Sequence, residues 1–308
     1  MLSSLVFLVG ALVIASQVFR FLEFLWFYLL KPSSVQKYLH GPAPYAIVTG
    51  ASDGIGKAVA HELFAKGFNL IIHGRNEDKV RKVVDELKTR RSGDVRYFIA
   101  DAAKGGHDFT QLIKPFADLN VTLVVQNVGG AYMAKERIDD SSDTALVELV
   151  AWNDFFPLLL TRALLPKLRT TAQHGPVLVQ FVGSHAATAA PPTLSVYAAT
   201  KGFLAVLTRG LDNDERRWGT PSGVEFEYLA VASVATAGNP QNVTMSAPSA
   251  EQFGRALVNK AGCGKRYYTP WMAHAIMVWA VGLLPEGVVD GFVAQMMRKQ
   301  HEERQKKA

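Results

Sequence analysis

The sequence predicts an α/β protein with one doubly wound parallel sheet, an apolar N-terminal anchor and a hydrophobic C-terminal tail. Three observations carry this. From residue 44, short apolar runs alternate with longer helix-like segments. The first run leads directly into a glycine-rich turn. The stretch MLSSLVFLVGALVIASQVF, residues 1–19, holds no charge.

A chain of 308 residues, 49% hydrophobic and 19% charged, suits one large domain with an added segment. The uncharged start is as long as the ~20 apolar residues that cross a bilayer core. No Lys or Arg precedes it, and the aromatic-rich RFLEFLWFYLL follows, so it reads as a retained anchor, not a cleaved signal peptide. Lys31 and Lys37 follow it, which places the rest of the chain on the cytosolic side. His40–Pro44 (HGPAP) reads as a hinge, so residues 1–40 form anchor and hinge.

Candidate strands are Tyr45–Thr49, Leu70–His73, Val95–Ala100, Leu123–Gln126, Val177–Val182 and Val224–Val231. Lys79–Thr89 and Asp143–Leu168 carry apolar residues at helical spacing. Fully apolar strands joined by helices make a buried parallel sheet, and right-handed crossovers make it doubly wound. That domain is assigned to residues 41–270. Residues 271–308 hold the apolar Trp271–Leu284 and a basic tail. The apolar stretch is short for a span and reads as a helix lying on a membrane surface. Arg304 and Lys306 loosely match a dilysine-type retrieval signal.

The net charge is +6, with basic residues gathered at Lys88–Arg91 and in the tail. The first cluster suits a helix C-terminus. No basic stripe is interleaved with aromatics, which argues against nucleic acid. The single cysteine, Cys263, excludes an internal disulfide and has no metal-ligand spacing with the eight His, so no metal is expected.

The first strand opens into TGASDGIGKAVAHEL, residues 49–63. A glycine triplet between a strand and a helix is the context of dinucleotide binding. Gly50 permits the turn, Gly54 lets backbone approach a pyrophosphate, and Gly56 lets the helix pack closely. The helix N-terminus offers N–H groups to phosphate. The second strand ends in His73-Gly74-Arg75, where an NAD-selecting enzyme often carries an acid. Arg75 can pair with a 2′-phosphate, so NADPH/NADP+ is the expected cofactor. Tyr197 and Lys201 stand four apart in SVYAATKGF, on one helical face. Alone, that pair is common enough to arise by chance.

The spacing Gly-x-x-x-Gly-x-Gly after Thr49 resembles the short-chain dehydrogenase/reductase family, whose fold is of the Rossmann type. Further motifs follow in the family's order over about residues 44–235. Gln126-Asn127-Val128-Gly129 stands where the family has Asn-Asn-x-Gly, with Gln in place of the first Asn. Asn153 falls on the long helix, and Ser184 lies thirteen residues before Tyr197. The resemblance implies Ser184, Tyr197, Lys201 and Asn153 as catalytic residues. Tyr197 would give the proton in ketone reduction, its pKa lowered by the Lys201 ammonium. Ser184 would bond the substrate oxygen, and Asn153 would hold a water relaying protons to Lys201. Cofactor contacts would come from Gly50, Ser52, Asp53, Gly54, Ile55, Gly56, Arg75, Asp101 and Asn127. Tyr197, Lys201, Val234 and Thr236 complete that set. Ala232-Ser233 replaces the family's Pro-Gly beside the carboxamide contact. The segment Asn239–Lys260 is expected to cover the cleft as a lid. His185 is expected to line the pocket or pack beside it, not to act on substrate.

The anchor, the glycine loop, Asn-Val-Gly, Val-Ala-Thr and the apolar tail together look like one subgroup, the membrane-bound 3-ketoacyl-CoA reductases and 17β-hydroxysteroid dehydrogenases. Members act in the endoplasmic reticulum on very-long-chain 3-ketoacyl-CoA or on steroid ketones. The resemblance implies a long-chain acyl-CoA or other apolar ketone as substrate, with steroid or retinoid ketones as the alternative. It also implies a lipid bilayer, other fatty-acid elongation enzymes and a homodimer as partners. A reading of another class stays open: an NADPH-binding scaffold without turnover.

Overall fold

The computed structural model describes residues 2–131 and 137–305; Lys306, of the retrieval signal, lies outside them. Two compact units divide the chain, Met1–Ser33 and Ser34–Ala308. The first is helix α1 (Leu2–Leu25) continued by a π-helical turn over Trp26–Leu30. Its Ser4–Leu30 stretch is long and apolar enough to cross a membrane. The second apolar helical stretch, Asp143–Ala172, is 44% buried inside the domain and is explained by the core.

The compact domain begins at Ser34, ahead of the expected hinge. Val35 and Tyr38 are buried, and Asn120 donates to the His40 carbonyl at 2.7 Å, so this segment is docked onto the domain.

The central sheet has strands β1 (Tyr45–Val48), β2 (Asn69–Gly74), β3 (Val95–Ile99), β4 (Val121–Gln126), β5 (Val177–Val182), β6 (Val224–Leu229) and β7 (Tyr267–Tyr268). Their order is β3-β2-β1-β4-β5-β6-β7, every described pairing parallel. The order reverses direction between β1 and β4, the switch point where such sheets bind ligands. Val, Ile, Leu and Phe on both strand faces are buried by helices α2 (Gly54–Lys66), α3 (Glu77–Lys88), α4 (Phe109–Ile113), α5 (Asp143–Val150) and α6 (Phe156–Ala172). A π-helical turn, Ala151–Phe155, joins α5 to α6.

Helix α7 (Ala186–Ala189) and the long α8 (Ser195–Arg217) follow β5. The basic cluster ends α3, as its charge suggested, and Arg91 donates to the carbonyls of Phe64 and Phe68, each at 2.6 Å. Helix α9 (Ala250–Lys260) corrects the expected lid. Its apolar face, with Phe253, Leu257 and Val258 buried, lies against α2 instead of over the cleft. Gly254 makes the approach possible, because an added Cβ would come within 2.9 Å of Ala58.

The C-terminal apolar stretch forms α10 (Met272–Val281), followed by α11 (Glu286–Gln305). At about 1.5 Å per residue, α10 is half the length of a bilayer core, too short to cross one alone. His274 ties it to the domain: its Nε2 donates to the Ser233 and Ser246 carbonyls, both at 3.1 Å.

Candidate active site

One cleft of about 1780 Å³ runs along the C-terminal ends of the strands. Its volume exceeds the roughly 300–1,000 Å³ of a drug-sized pocket and leaves room for a dinucleotide beside a large substrate. Gly50, Ser52, Asp53, Gly54 and Ile55 line one end, with Arg75, Asp101 and Asn127. Ser184, Tyr197, Lys201, Val234 and Thr236 line its middle. Two of the expected residues, Gly56 and Asn153, are buried behind the wall.

The glycine loop is held from below. Gly50 has φ +64, and an added Cβ would come 3.1 Å from the Val128 backbone. A Cβ on Gly56 would meet the Gly50 carbonyl oxygen at 2.3 Å, so only glycine lets α2 start this close to the turn. Thr49 Oγ1 accepts the amides of Asn127 and Val128, at 2.9 and 3.0 Å. The Asn127 side chain donates to the Thr49 carbonyl at 3.0 Å and so braces the loop. Gln126, the departure from the family pattern, is buried and satisfied: it accepts from Thr49 Oγ1 at 3.5 Å and donates to Thr161 Oγ1 at 3.2 Å.

His73 belongs to this brace, a part for which sequence reasoning had no signal. Its ring stacks between Phe98 and Phe156, with centroids 4.8 Å from each. Nε2 donates to the Ala100 carbonyl at 3.0 Å, and Nδ1 accepts the Gly50 amide at 3.3 Å. Both bonds require the neutral Nε2–H tautomer. Burial pushes the His73 pKa down to about 4, which keeps it neutral.

An α2 N-terminus that lines the cleft, a cradle that a Cβ would fill and an arginine after β2 fit a phosphorylated dinucleotide. Asp53 caps α2, its Oδ1 accepting the Gly54 amide at 2.7 Å. Arg75 is exposed along the cleft, free to reach a 2′-phosphate. Asp101 accepts the Ala103 amide at 3.2 Å, which holds the turn after β3.

At the middle of the cleft, α8 presents Tyr197 and Lys201 one turn apart, the Lys201 Nζ 5.6 Å from the Tyr197 ring centroid. The Ser184 hydroxyl accepts the Ala186 amide at 3.0 Å and lies close enough to the Tyr197 phenol to favour its charged form. The expectation that Lys201 lowers the Tyr197 pKa is not met in the chain by itself. Burial raises it, and the neighbouring Ser184 hydroxyl only partly opposes that. The phenol is therefore held protonated, as a proton donor must be. Lys201 is deeply buried, and burial pushes its pKa down to about 8, with Asp154 acting the other way. Its Nζ donates to the Val182 carbonyl at 3.4 Å.

Asn153 clamps Gly130 from both sides. Its Nδ2 donates to the Gly130 carbonyl at 2.8 Å, and its Oδ1 accepts the Gly130 amide at 3.1 Å. Lys201 shares this spot: a Cβ on Gly129 would lie 2.8 Å from Asn153 Oδ1 and 3.1 Å from Lys201 Nζ.

Tyr228 on β6 is a second residue that sequence reasoning missed. Its hydroxyl accepts the Ser184 amide at 2.9 Å and stands 3.0 Å from the Lys201 carbonyl and 3.1 Å from that of Ser184, to one of which it donates. It fixes the backbones of two site residues that are distant in sequence.

His185 packs as expected, with Nε2 2.9 Å from Thr269 Oγ1 and a pKa lowered to about 4 by burial. Ser233, in place of the family's Pro-Gly, is a junction. Its hydroxyl accepts from Asn239 at 3.2 Å and Gln241 at 2.7 Å, and its carbonyl accepts from His274. This draws the covering segment, which lines the cleft from Gly238 to Ala247, onto the end of β6. Met277, Val281, Leu284, Val289, Phe292 and Met296 of the C-terminal stretch line the cleft's outer end.

A doubly wound sheet with a glycine-rich turn and a Ser–Tyr–Lys cluster in one cleft defines a dinucleotide-binding α/β protein equipped for proton transfer to a carbonyl. Residues 44–246 match the family described as short chain dehydrogenase, and the chain belongs to that family. It is 28% identical over 281 residues to a very-long-chain 3-oxoacyl-CoA reductase of Neurospora crassa, covering 89% of this chain and 82% of the relative. A Kluyveromyces lactis protein of the same name is 29% identical, covering 87% and 81%. The fold is similar to that of a short-chain dehydrogenase from Sphingobium yanoikuyae solved with NADPH, with a TM-score of 0.66 at 20% identity, covering 80% of this chain and 94% of that one.

Proposed function

We propose that this chain reduces the ketone of a long-chain 3-ketoacyl-CoA to the 3-hydroxyacyl-CoA, with NADPH as reductant, as a step of fatty-acid elongation. The observation that carries the reaction is the meeting of Ser184, Tyr197 and Lys201 in the cleft that also holds the glycine loop. The substrate class rests on the relatives' names and on the apolar outer end of the cleft.

When bound, NADPH supplies the hydride. The chain supplies the rest. Ser184 donates a hydrogen bond to the carbonyl oxygen and orients it beside Tyr197. Tyr197 gives its proton to that oxygen as negative charge develops there. Burial keeps the phenol neutral beforehand, so the Lys201 ammonium matters most as the phenolate forms. Asn153 holds the wall at Gly130 and supports the route by which the proton is restored through Lys201. Arg75 selects the 2′-phosphate.

The chain acts at the endoplasmic reticulum membrane, anchored by α1 with the catalytic domain in the cytosol. The apolar anchor and the exposed Trp279, Leu283 and Phe292 beside the cleft's outer end support a membrane setting. A homodimer through α5–α6 and α8 is supported by exposed Val147, Phe155, Phe203 and Val206.

The test offers the detergent-solubilised chain NADPH with a long-chain 3-ketoacyl-CoA or a 17-ketosteroid in separate reactions. The proposal expects 3-hydroxyacyl-CoA by mass spectrometry. Turnover of the steroid alone would reassign the substrate. NADPH binding without turnover of any ketone in a broad panel would make the chain a scaffold.

A further inference from the structure

Asn153 and Asp154 are neighbours in sequence, and both are buried. In a regular helix on a domain surface, adjacent residues point about 100° apart, and one commonly meets solvent. Here the π-helical turn Ala151–Phe155 widens the helix at this point, and α8 packs against the turn. Such turns occur often at functional sites.

Asp154 is left with a polar atom that the fold does not satisfy: Oδ1 is buried and has no hydrogen-bond partner. Burying such an atom is costly unless a charge compensates it. Across the packing contact stands Lys201, equally buried, with a single long bond to the Val182 carbonyl at 3.4 Å. A carboxylate oxygen without a donor and an ammonium with one long bond thus stand, both buried, on two elements packed together, the turn and α8. Burial raises the Asp154 pKa to about 7, opposed only by Lys201, and Asp154 is the one charge that opposes burial at Lys201.

The other groups around the pair are few. Tyr197 on α8 and Ser184 after β5 face the substrate side, and Asn153 is neutral and clamped to Gly130. On the helices flanking the turn, Asp143 and Arg162 are exposed and Glu148 is half-exposed. A bound dinucleotide brings its phosphates to the glycine loop.

We infer that Asp154 is the counter-charge of Lys201, a positioning residue that holds the catalytic lysine as its ammonium inside the buried wall of the cleft. This rests on the reading of Tyr197 and Lys201 as the proton-donating pair. The carboxylate favours the charged lysine, so removing it makes the ammonium easier to deprotonate. The alkaline limb of ketone reduction then moves to lower pH.

The experiment compares full-length wild type and Asp154→Asn, in detergent, by pH profiles of kcat for NADPH-dependent reduction. The expected result is an alkaline limb lower by about one pH unit in the variant, with the NADPH Kd unchanged near pH 7. If Asp154→Asn does not fold, Asp154→Ser reads the same limb. A variant that turns over with an unmoved limb overturns the inference. A wild type that reduces no ketone overturns the proposed function instead, and the pair is then read by stability. Asp154→Asn and Lys201→Met each strand one buried charge, so the double variant should lose less thermal stability than the two losses added together. Additive losses overturn the counter-charge.

Discussion

The two ends of the cleft are built in different ways. At the glycine loop, side chains bond backbone: Thr49 holds Asn127 and Val128, Asn127 holds Thr49, and His73 holds Gly50 and Ala100. At the outer end the wall comes from the C-terminal stretch, with Met, Val, Leu and Phe beside Glu286, Asp290 and Gln300, much of it exposed. A ligand common to many reactions can be met by a rigid, polar, backbone-defined socket. A long apolar substrate needs only area and room to slide, which flexible apolar side chains provide. The residues proposed to act on the carbonyl lie between, after a strand end and on a helix that Tyr228 ties together.

The contrast can be broken first at its centre. Tyr197→Phe removes the proton donor and should lower kcat by about 10²- to 10⁴-fold. NADPH affinity, read by fluorescence titration, should stay within about twofold, as the socket is untouched.

The socket is tested next through pH. The His73 pKa is about 4 in the folded chain against an ordinary value of 6.5. The unfolded chain takes the proton first, so stability present above pH 6.5 is lost as pH falls toward 4. The loss approaches about 3 kcal/mol at the low end. Thermal melts of His73→Gln should start lower at pH 7 and fall less steeply below pH 6.5 than those of wild type.

At the socket's rim, Arg75→Ala should weaken NADPH binding by about tenfold or more, from the loss of a charge-assisted contact. NADH binding should not change. Tyr228→Phe removes the hydroxyl that links Ser184 and Lys201, and chemical denaturation should show about 1–2 kcal/mol lost. The smallest effect is expected outside the socket. Val281→Trp narrows the apolar end and should raise KM several-fold for long acyl chains while sparing short ones.

The socket was largely legible in the sequence because glycine positions and strand–helix order are backbone demands that few residues meet. β5 runs over Val177–Val182 as expected. β7 was not legible: two tyrosines have no periodicity, and only pairing with β6 makes them a strand. The π turn was hidden too, since Asp143–Leu168 has an unbroken helical pattern and the extra residue per turn shows only in side-chain placement. His73 and Tyr228 read as ordinary strand residues, because their value lies in bonds to backbone distant in sequence. The lid was placed too far along the chain, since the apolar face of α9 suits a helix surface as well as a cleft.

The central claim is that one cleft brings a reduced dinucleotide to a ketone that Tyr197 protonates. It is tested most directly by following NADPH oxidation by the full-length chain with a long-chain 3-ketoacyl-CoA, in wild type and Tyr197→Phe, each first shown to bind NADPH. The account predicts turnover in wild type and its loss in the variant, at matched cofactor binding. Equal turnover in both would contradict it.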